Sequence, residues 1–519
     1  MNLVKATGTI GGLTMVSRIA GFAREMLMSR ILGASAEASA FVIAFRLPNT
    51  FRRLFGEGAF SAGFVPLFSQ RLHGEGGEKD ARQFSEEVLA VFLPTLVLFT
   101  LVFELIMPLF VAALSGYSGE QLAVTTFLTR ITFPYLLLIS LVSLFSGILN
   151  SLARFTAAAF APALLNLAML AALILVPEGG QPSATALSIG VTIGGVLQLA
   201  LLIFAARRAG ISLKLRRPRM TPGVRQFVRV VVPATLGAGV YQISAFIDTF
   251  FLARISEGAP AIFNYADRLN QLPLGVIGAA LGTAILPQVS RFVGANDPAR
   301  AAKVQGDAAE LAMLLCLPAA VALAVASEPL IGALFQGGEF KAADASITAT
   351  VLTLIVVGLP AYVLVKVLTP GFYARQDTAT PVKTAAFVLL ANIALNFILI
   401  PPFGIAGLAA AIAIASWLNC VILYVILHRR GHFRVERWLA SRIVRQLLAA
   451  AAMAAAIYGV RFVIGDWFTG GVGHRLLGVI ALVGVGMAVY FPLAWLLGGM
   501  DKDAFKTLLR RKRPVEDAG

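Results

Sequence analysis

Charge is what this sequence has least of. Only 13% of its 519 residues are Asp, Glu, Lys or Arg, against about 25% in an ordinary soluble domain. A water-surrounded globule of this length could not cover its surface, so that class is excluded. Cysteine is nearly absent. Cys316 and Cys420 each lie in an apolar run, which supports neither a disulfide framework nor a thiolate metal site. The histidines, His73, His428, His432 and His474, have no neighbouring metal-ligand pattern. A Walker A glycine run and a nucleophile elbow are both missing. Asp377, in Arg375-Gln-Asp-Thr, has no partner base within its motif. ATP hydrolysis and covalent catalysis therefore find no footing, and no metal or cofactor is expected.

What the chain has instead is apolar length. Hydrophobic residues make up 58% and the mean hydropathy is +0.82. A bilayer crossing takes about 20 mostly apolar residues. Clear runs lie near 88–112, 127–149, 160–176, 185–206, 307–334, 346–369, 383–400, 404–427, 446–463 and 476–499. Four further stretches, near 8–32, 36–60, 228–255 and 264–290, carry charge. They are read as spans lining a polar cavity, because a cavity is where intramembrane charge is tolerated. The expected fold is an all-α polytopic membrane protein of about 14 transmembrane helices. Residues 1–18 are read as the start of the first helix rather than a cleaved signal.

The distribution of charge tests that count. The net charge is +16. With the N-terminus inside, alternate loops are rich in Lys and Arg: 206–229, with eight such residues and no acid, 429–445, and the tail 502–513. The opposite loops are poor in them. This asymmetry predicts both termini on the cytoplasmic side of a bacterial inner membrane, with anionic membrane lipids as partners of the basic segments. Nucleic-acid binding is not expected, since no recognition module is present.

Two echoes suggest an internal repeat. Arg46-Leu-Pro48 followed by Pro66-Leu-Phe-Ser69 resembles Arg268, Leu272-Pro273 and Pro287-Gln-Val-Ser290. Ala153-Arg154 before Pro162 and Asn166 resembles Ala374-Arg375 before Pro381 and Asn392. The matched spans are six helices apart in both cases, which implies two six-helix lobes related by a parallel pseudo-repeat plus two C-terminal helices. The expected organisation is an N-lobe over 1–206 and a basic linker over 207–227 at the inner membrane surface. A C-lobe over 228–428, two further spans over 429–500 and a basic cytoplasmic tail over 501–519 follow. The linker is read either as an amphipathic helix or as a solvated loop. Pro48 and Pro66 are read as bounding the second span, and Pro273 and Gly275 as interrupting the eighth.

The candidate functional residues are the cations inside the four charged stretches. Arg18 and Arg24 lie in the first, Arg52 and Arg53 in the second with Glu57 four residues on, and Asp267 beside Arg268 in the eighth. Arginine at the bilayer centre costs at least ~2.5–3.5 kcal/mol. It needs water, a carboxylate or an anionic ligand, and the guanidinium fork suits phosphate and carboxylate oxygens. Snorkelling to the headgroups is the competing reading, and it is preferred for Arg30, Arg46 and Arg71.

Several stretches resemble the MviN/MurJ family of lipid II flippases, within the multidrug/oligosaccharidyl-lipid/polysaccharide exporter superfamily. They are Ser17-Arg-Ile-Ala-Gly-Phe-Ala-Arg24, Phe45-Arg-Leu-Pro-Asn49, Arg52-Arg-Leu-Phe-Gly-Glu-Gly-Ala-Phe-Ser61, Tyr265-Ala-Asp-Arg-Leu269 and Pro370-Gly-Phe-Tyr-Ala-Arg-Gln-Asp377. The resemblance implies a central cationic cavity containing Arg18, Arg24, Arg52 and Arg268. It also implies a groove for an undecaprenyl tail at the last two helices. The implied activity is translocation of the lipid-linked peptidoglycan precursor, lipid II, from the inner to the outer leaflet, without covalent chemistry. A monomeric transport unit, cell-wall synthesis proteins as further partners, and coupling to an ion gradient or the membrane potential complete the expectation; the ion stays unnamed. Close relatives carry Asp where this chain has Ser39 and often Glu where it has Gln271, so two acids are absent here. The alternatives are an exporter of another polyisoprenoid-linked oligosaccharide or of drugs, a membrane transferase, and a non-transporting scaffold.

Overall fold

The computed structural model describes residues 3–52 and 60–500. Among them the architecture is helical, and the isolated Gly337–Phe340 bridge is the one β-type pairing. The chain forms two compact units. One comprises Met1–Asn264 and Gly337–Asp344, the other Tyr265–Gln336 and Ala345–Gly519. The boundary thus runs beyond the basic linker.

The first unit holds α1 (Leu3–Leu32), α2 (Ala36–Arg52), α3 (Phe60–Leu72), α4 (Gly77–Ser115), α5 (Gly119–Thr132), α6 (Tyr135–Ser151), α7 (Thr156–Leu175), α8 (Gly180–Arg208) and α9 (Pro222–Ile255). It also holds the first residues of α10 (Ala259–Gly294). The second unit continues α10 and adds α11 (Pro298–Val325), α12 (Ser327–Leu334), most of α13 (Ala342–Val357), α14 (Leu359–Tyr373) and α15 (Ala379–Arg429). It ends with α16 (Arg437–Val463), α17 (Gly465–Thr469) and α18 (Val472–Leu496). The expected spans fall on these helices, apart from short breaks and residues 53–59, which lie outside the described residues.

Among the described residues, nine helical stretches are long and apolar enough to cross a membrane. One of them, α15, has 51 residues, more than twice what a crossing needs. Pro401 and Pro402 precede Gly404, whose φ of 55° and ψ of −132° break the helix into two arms. Only glycine adopts that backbone cheaply. Among the described residues, α1, α2, α9 and α10 are outside the nine, and α2, with 17 residues, is too short.

Prolines in this chain interrupt less than their positions suggest. Pro48 lies inside α2, Pro66 inside α3, and α10 runs through both Pro273 and Pro287. Each removes one N–H, and packed membrane helices accommodate that loss. Pro222 and Pro298 stand instead at helix starts, where the N–H is unused. Thr221 accepts the Val224 N–H at 3.3 Å and Asp297 that of Arg300 at 3.0 Å, capping α9 and α11.

The linker is irregular from Ile211 to Thr221, so of its two readings the helix is the one set aside there. It is tied to α4. The buried Glu86 accepts from Arg216 Nε at 2.6 Å and from the Lys214 N–H at 3.1 Å. Thr221 donates to Glu87 at 2.8 Å. A carboxylate holding both a backbone N–H and a guanidinium satisfies a loop that makes no helix bonds of its own.

Candidate functional site

Among the described residues, the most completely enclosed candidate cation is Arg24, on the face of α1 toward α7. Its exposure is 4% and that of its neighbour Glu25 is 2%. The guanidinium Nη2 pairs with the Glu25 carboxylate. Its Nη1 donates to Asn166 Oδ1 at 3.0 Å and approaches Met169 Sδ at 3.3 Å, both on α7. The ring of Phe45, on α2, lies 5.8 Å from the guanidinium carbon. Glu25 accepts in turn from Asn264 Nδ2 at 3.1 Å, at the start of α10. Asn166 also donates to the Ser17 carbonyl at 3.1 Å.

Gly21 makes this approach of α1 to α7 feasible. A Cβ there would stand 3.2 Å from Asn166 Nδ2, tighter than ordinary contact. The ion pair is costly to assemble, since burying each ion costs several kcal/mol, and it persists because both charges are hydrogen-bonded. Glu25 was not among the residues that the sequence marked as candidates. Asn166 and Asn264 were also missed. A lone amide in an apolar helix was the available signal.

The other candidates are placed differently. Arg18, on the same helix, is exposed. Arg52 is half-buried at the end of α2, with Nε donating to Asn49 Oδ1 at 3.0 Å. Arg53 and Glu57 lie outside the described residues. In the second unit, Asp267 and Arg268 are half-buried on α10. Asp267 accepts from Asn270 at 3.3 Å and from Gln271 at 2.5 Å.

Both departures in sequence now have a local account. Ser39 is fully buried, and its Oγ accepts the Ala261 N–H at 3.3 Å, in the first turn of α10. The first N–H groups of a helix have no internal partner, so Ser39 keeps the acceptor function while lacking the charge. Gln271 uses its amide as a donor to Asp267, a bond that an ionised carboxylate at 271 cannot make.

Sequence reasoning also passed over Lys366, midway along α14 and exposed. Asp377, which has no base in its motif, finds a cation in space. Its carboxylate accepts from the Thr380 N–H at 2.9 Å, from Thr380 Oγ1 at 2.6 Å and from Arg430 Nη1 at 2.6 Å. The Thr380 hydroxyl, then Arg430, hold its carboxyl down to about 2. His432 in the next loop is pushed below its ordinary value by burial and by Arg375 and Arg430. This group fastens the two ends of α15, and it offers no nucleophile.

Comparison with known proteins places these features. A family described as lipid II flippase MurJ matches residues 28–477. The chain is 43% identical to the probable lipid II flippase MurJ of Rhizobium tropici, over 99% of this chain and 98% of that protein. It is 36% identical to the lipid II flippase MurJ of Burkholderia cenocepacia, over 96% and 98%. A solved lipid II flippase MurJ in an inward closed conformation superposes with a TM-score of 0.78 at 25% identity, covering 96% of this chain and 99% of that one. An inward-facing multidrug transporter of the MOP superfamily shares the fold, with a TM-score of 0.65 at 15% identity over 81% of this chain and 97% of its own. The chain is an integral membrane transport protein, and it belongs to the MurJ family of lipid II flippases.

Proposed function

We propose that this protein carries lipid II, the undecaprenyl-pyrophosphate-linked peptidoglycan precursor, from the inner to the outer leaflet by alternating access. The observation that carries the reading is the full-length match to lipid II flippases together with a guanidinium held inside an apolar helix at Arg24. Arg24 is balanced by Glu25 and fixed by Asn166. A pyrophosphate entering beside it offers oxygens that compete for the same donors, so Glu25 serves as the resting counter-ion. Arg18, Arg52 and Arg268, with Arg53, Glu57 and Asp267, supply the remaining charge along the path. The lobes rock about a parallel repeat, the tail stays in lipid, and no bond is made or broken. Both termini are cytoplasmic. A membrane potential can drive the reset, since one charge moved through 100 mV is worth ~2.3 kcal/mol.

The test is depletion of the protein followed by a leaflet-accessibility assay for lipid-linked precursor. Precursor accumulates in the inner leaflet while its synthesis continues. Unchanged outward movement, with no second flippase present, rules the reading out. Arg24→Ala and Arg268→Ala are each expected to abolish most transport in protein that inserts normally.

A further inference from the structure

Lys366 interrupts the apolar stretch Ala342–Tyr373, which is otherwise long and hydrophobic enough to cross a membrane. Ala361, Val363, Val367 and Leu368 bury the other side of α14 in the core of the second unit. The opposite side carries Tyr362, Lys366, Thr369 and Tyr373, at spacings of four, three and four residues. That spacing aligns them in one stripe along the helix. Tyr362 is 39% exposed, Tyr373 is 36% exposed, Lys366 is exposed and Thr369 is partly so.

The stripe differs from the purely apolar exposed faces of the unit. On α15 those are built from Phe387, Leu390, Phe397 and Ile398. A lysine ammonium carries three donors and no acceptor, and Lys366 makes no hydrogen bond or ion pair among the described residues. Snorkelling toward the C-terminal end of α14 runs against the tilt of the side chain. Tyr373 ends the helix seven residues on, about 10 Å away at 1.5 Å per residue. The Cα–Cβ bond tilts the other way, toward the helix N-terminus, where Gly358 and α13 continue the apolar stretch.

We infer that the α14 stripe faces water inside the membrane and that Lys366 contacts an oxyanion of the transported lipid. This rests on the proposed function for the identity of the cargo, but its exposure to water does not. Three directional donors on a flexible stem suit a phosphate or carboxylate that changes orientation during passage. The flanking tyrosines present ring faces and hydroxyls suited to a sugar-bearing headgroup.

Two measurements test it. The first is labelling of Lys366→Cys, Tyr362→Cys and Leu390→Cys by a charged, membrane-impermeant methanethiosulfonate. The native Cys316 and Cys420 are buried, so background is low. Thiolates react and thiols in hydrocarbon do not. Positions 362 and 366 are expected to label and 390 to remain unlabelled. Failure of both 362 and 366 to label overturns the water-facing stripe whatever the cargo is. The second is binding of undecaprenyl pyrophosphate and of lipid II to purified protein. Lys366→Gln is expected to weaken binding about tenfold, and Lys366→Arg to restore most of it. A loss with both ligands assigns the contact to the pyrophosphate; a loss with lipid II alone assigns it to a peptide carboxylate. Unchanged affinity for both, or no binding by the unaltered protein, overturns the contact.

Discussion

Arg24 on α1 and Lys366 on α14 are both cations within apolar helices, and the protein accommodates them by opposite means. Arg24 is enclosed, paired with Glu25 and bonded to Asn166. Lys366 is exposed on a stripe of tyrosine and threonine. The first arrangement removes the charge from water and compensates it with protein. The second leaves compensation to water or to a ligand. The difference teaches that sequence position inside an apolar run does not reveal a cation's role; the packing around it does.

The comparison is sharpest when the partner is deleted. Glu25→Ala should cost about 3–5 kcal/mol of stability, because it strands a buried guanidinium. Thermal unfolding in detergent checks this, and adding Arg24→Met should recover most of the loss. Lys366→Gln should change stability by less than about 0.5 kcal/mol, as surface changes do, while transport falls. A large melting shift in Lys366→Gln would erase the contrast. Outside the membrane, Glu86→Gln should cost about 1 kcal/mol and speed tryptic cleavage within 211–221, since Arg216 and the Lys214 N–H lose a charged acceptor.

The smallest expected effect concerns pH. The folded-state pKa of Asp377 is depressed to about 2, below the ordinary value near 3.9. Its stabilising contribution is therefore complete above about pH 4 and lost as pH falls through about 2. The melting difference between the unaltered protein and Asp377→Asn should stay constant from neutrality to about pH 5 and vanish near pH 2.

Much of the fold was legible because lipid imposes a local rule. Runs of about 20 apolar residues must be helical to satisfy their own backbones. The expected spans consequently coincide with helices, and the break in α15 at Gly404 falls where the expected runs 383–400 and 404–427 meet. The prolines at 48, 66 and 273 were misjudged because a helix break depends on whether neighbours accommodate the missing bond. The linker stayed ambiguous until Glu86, more than a hundred residues away, was seen to hold it.

The sequence by itself determined a helical membrane protein, its family motifs, and the cations that need compensation. Hydrophobic length and charge are properties of short segments, and the bilayer reads them segment by segment. The tertiary structure alone decided how those charges are met: Asn166 reaching Arg24, Ser39 taking the N–H of Ala261, and Arg430 finding Asp377. Each of these contacts joins residues far apart in the chain, where hydrogen-bond geometry is fixed by helix packing and no local pattern records it.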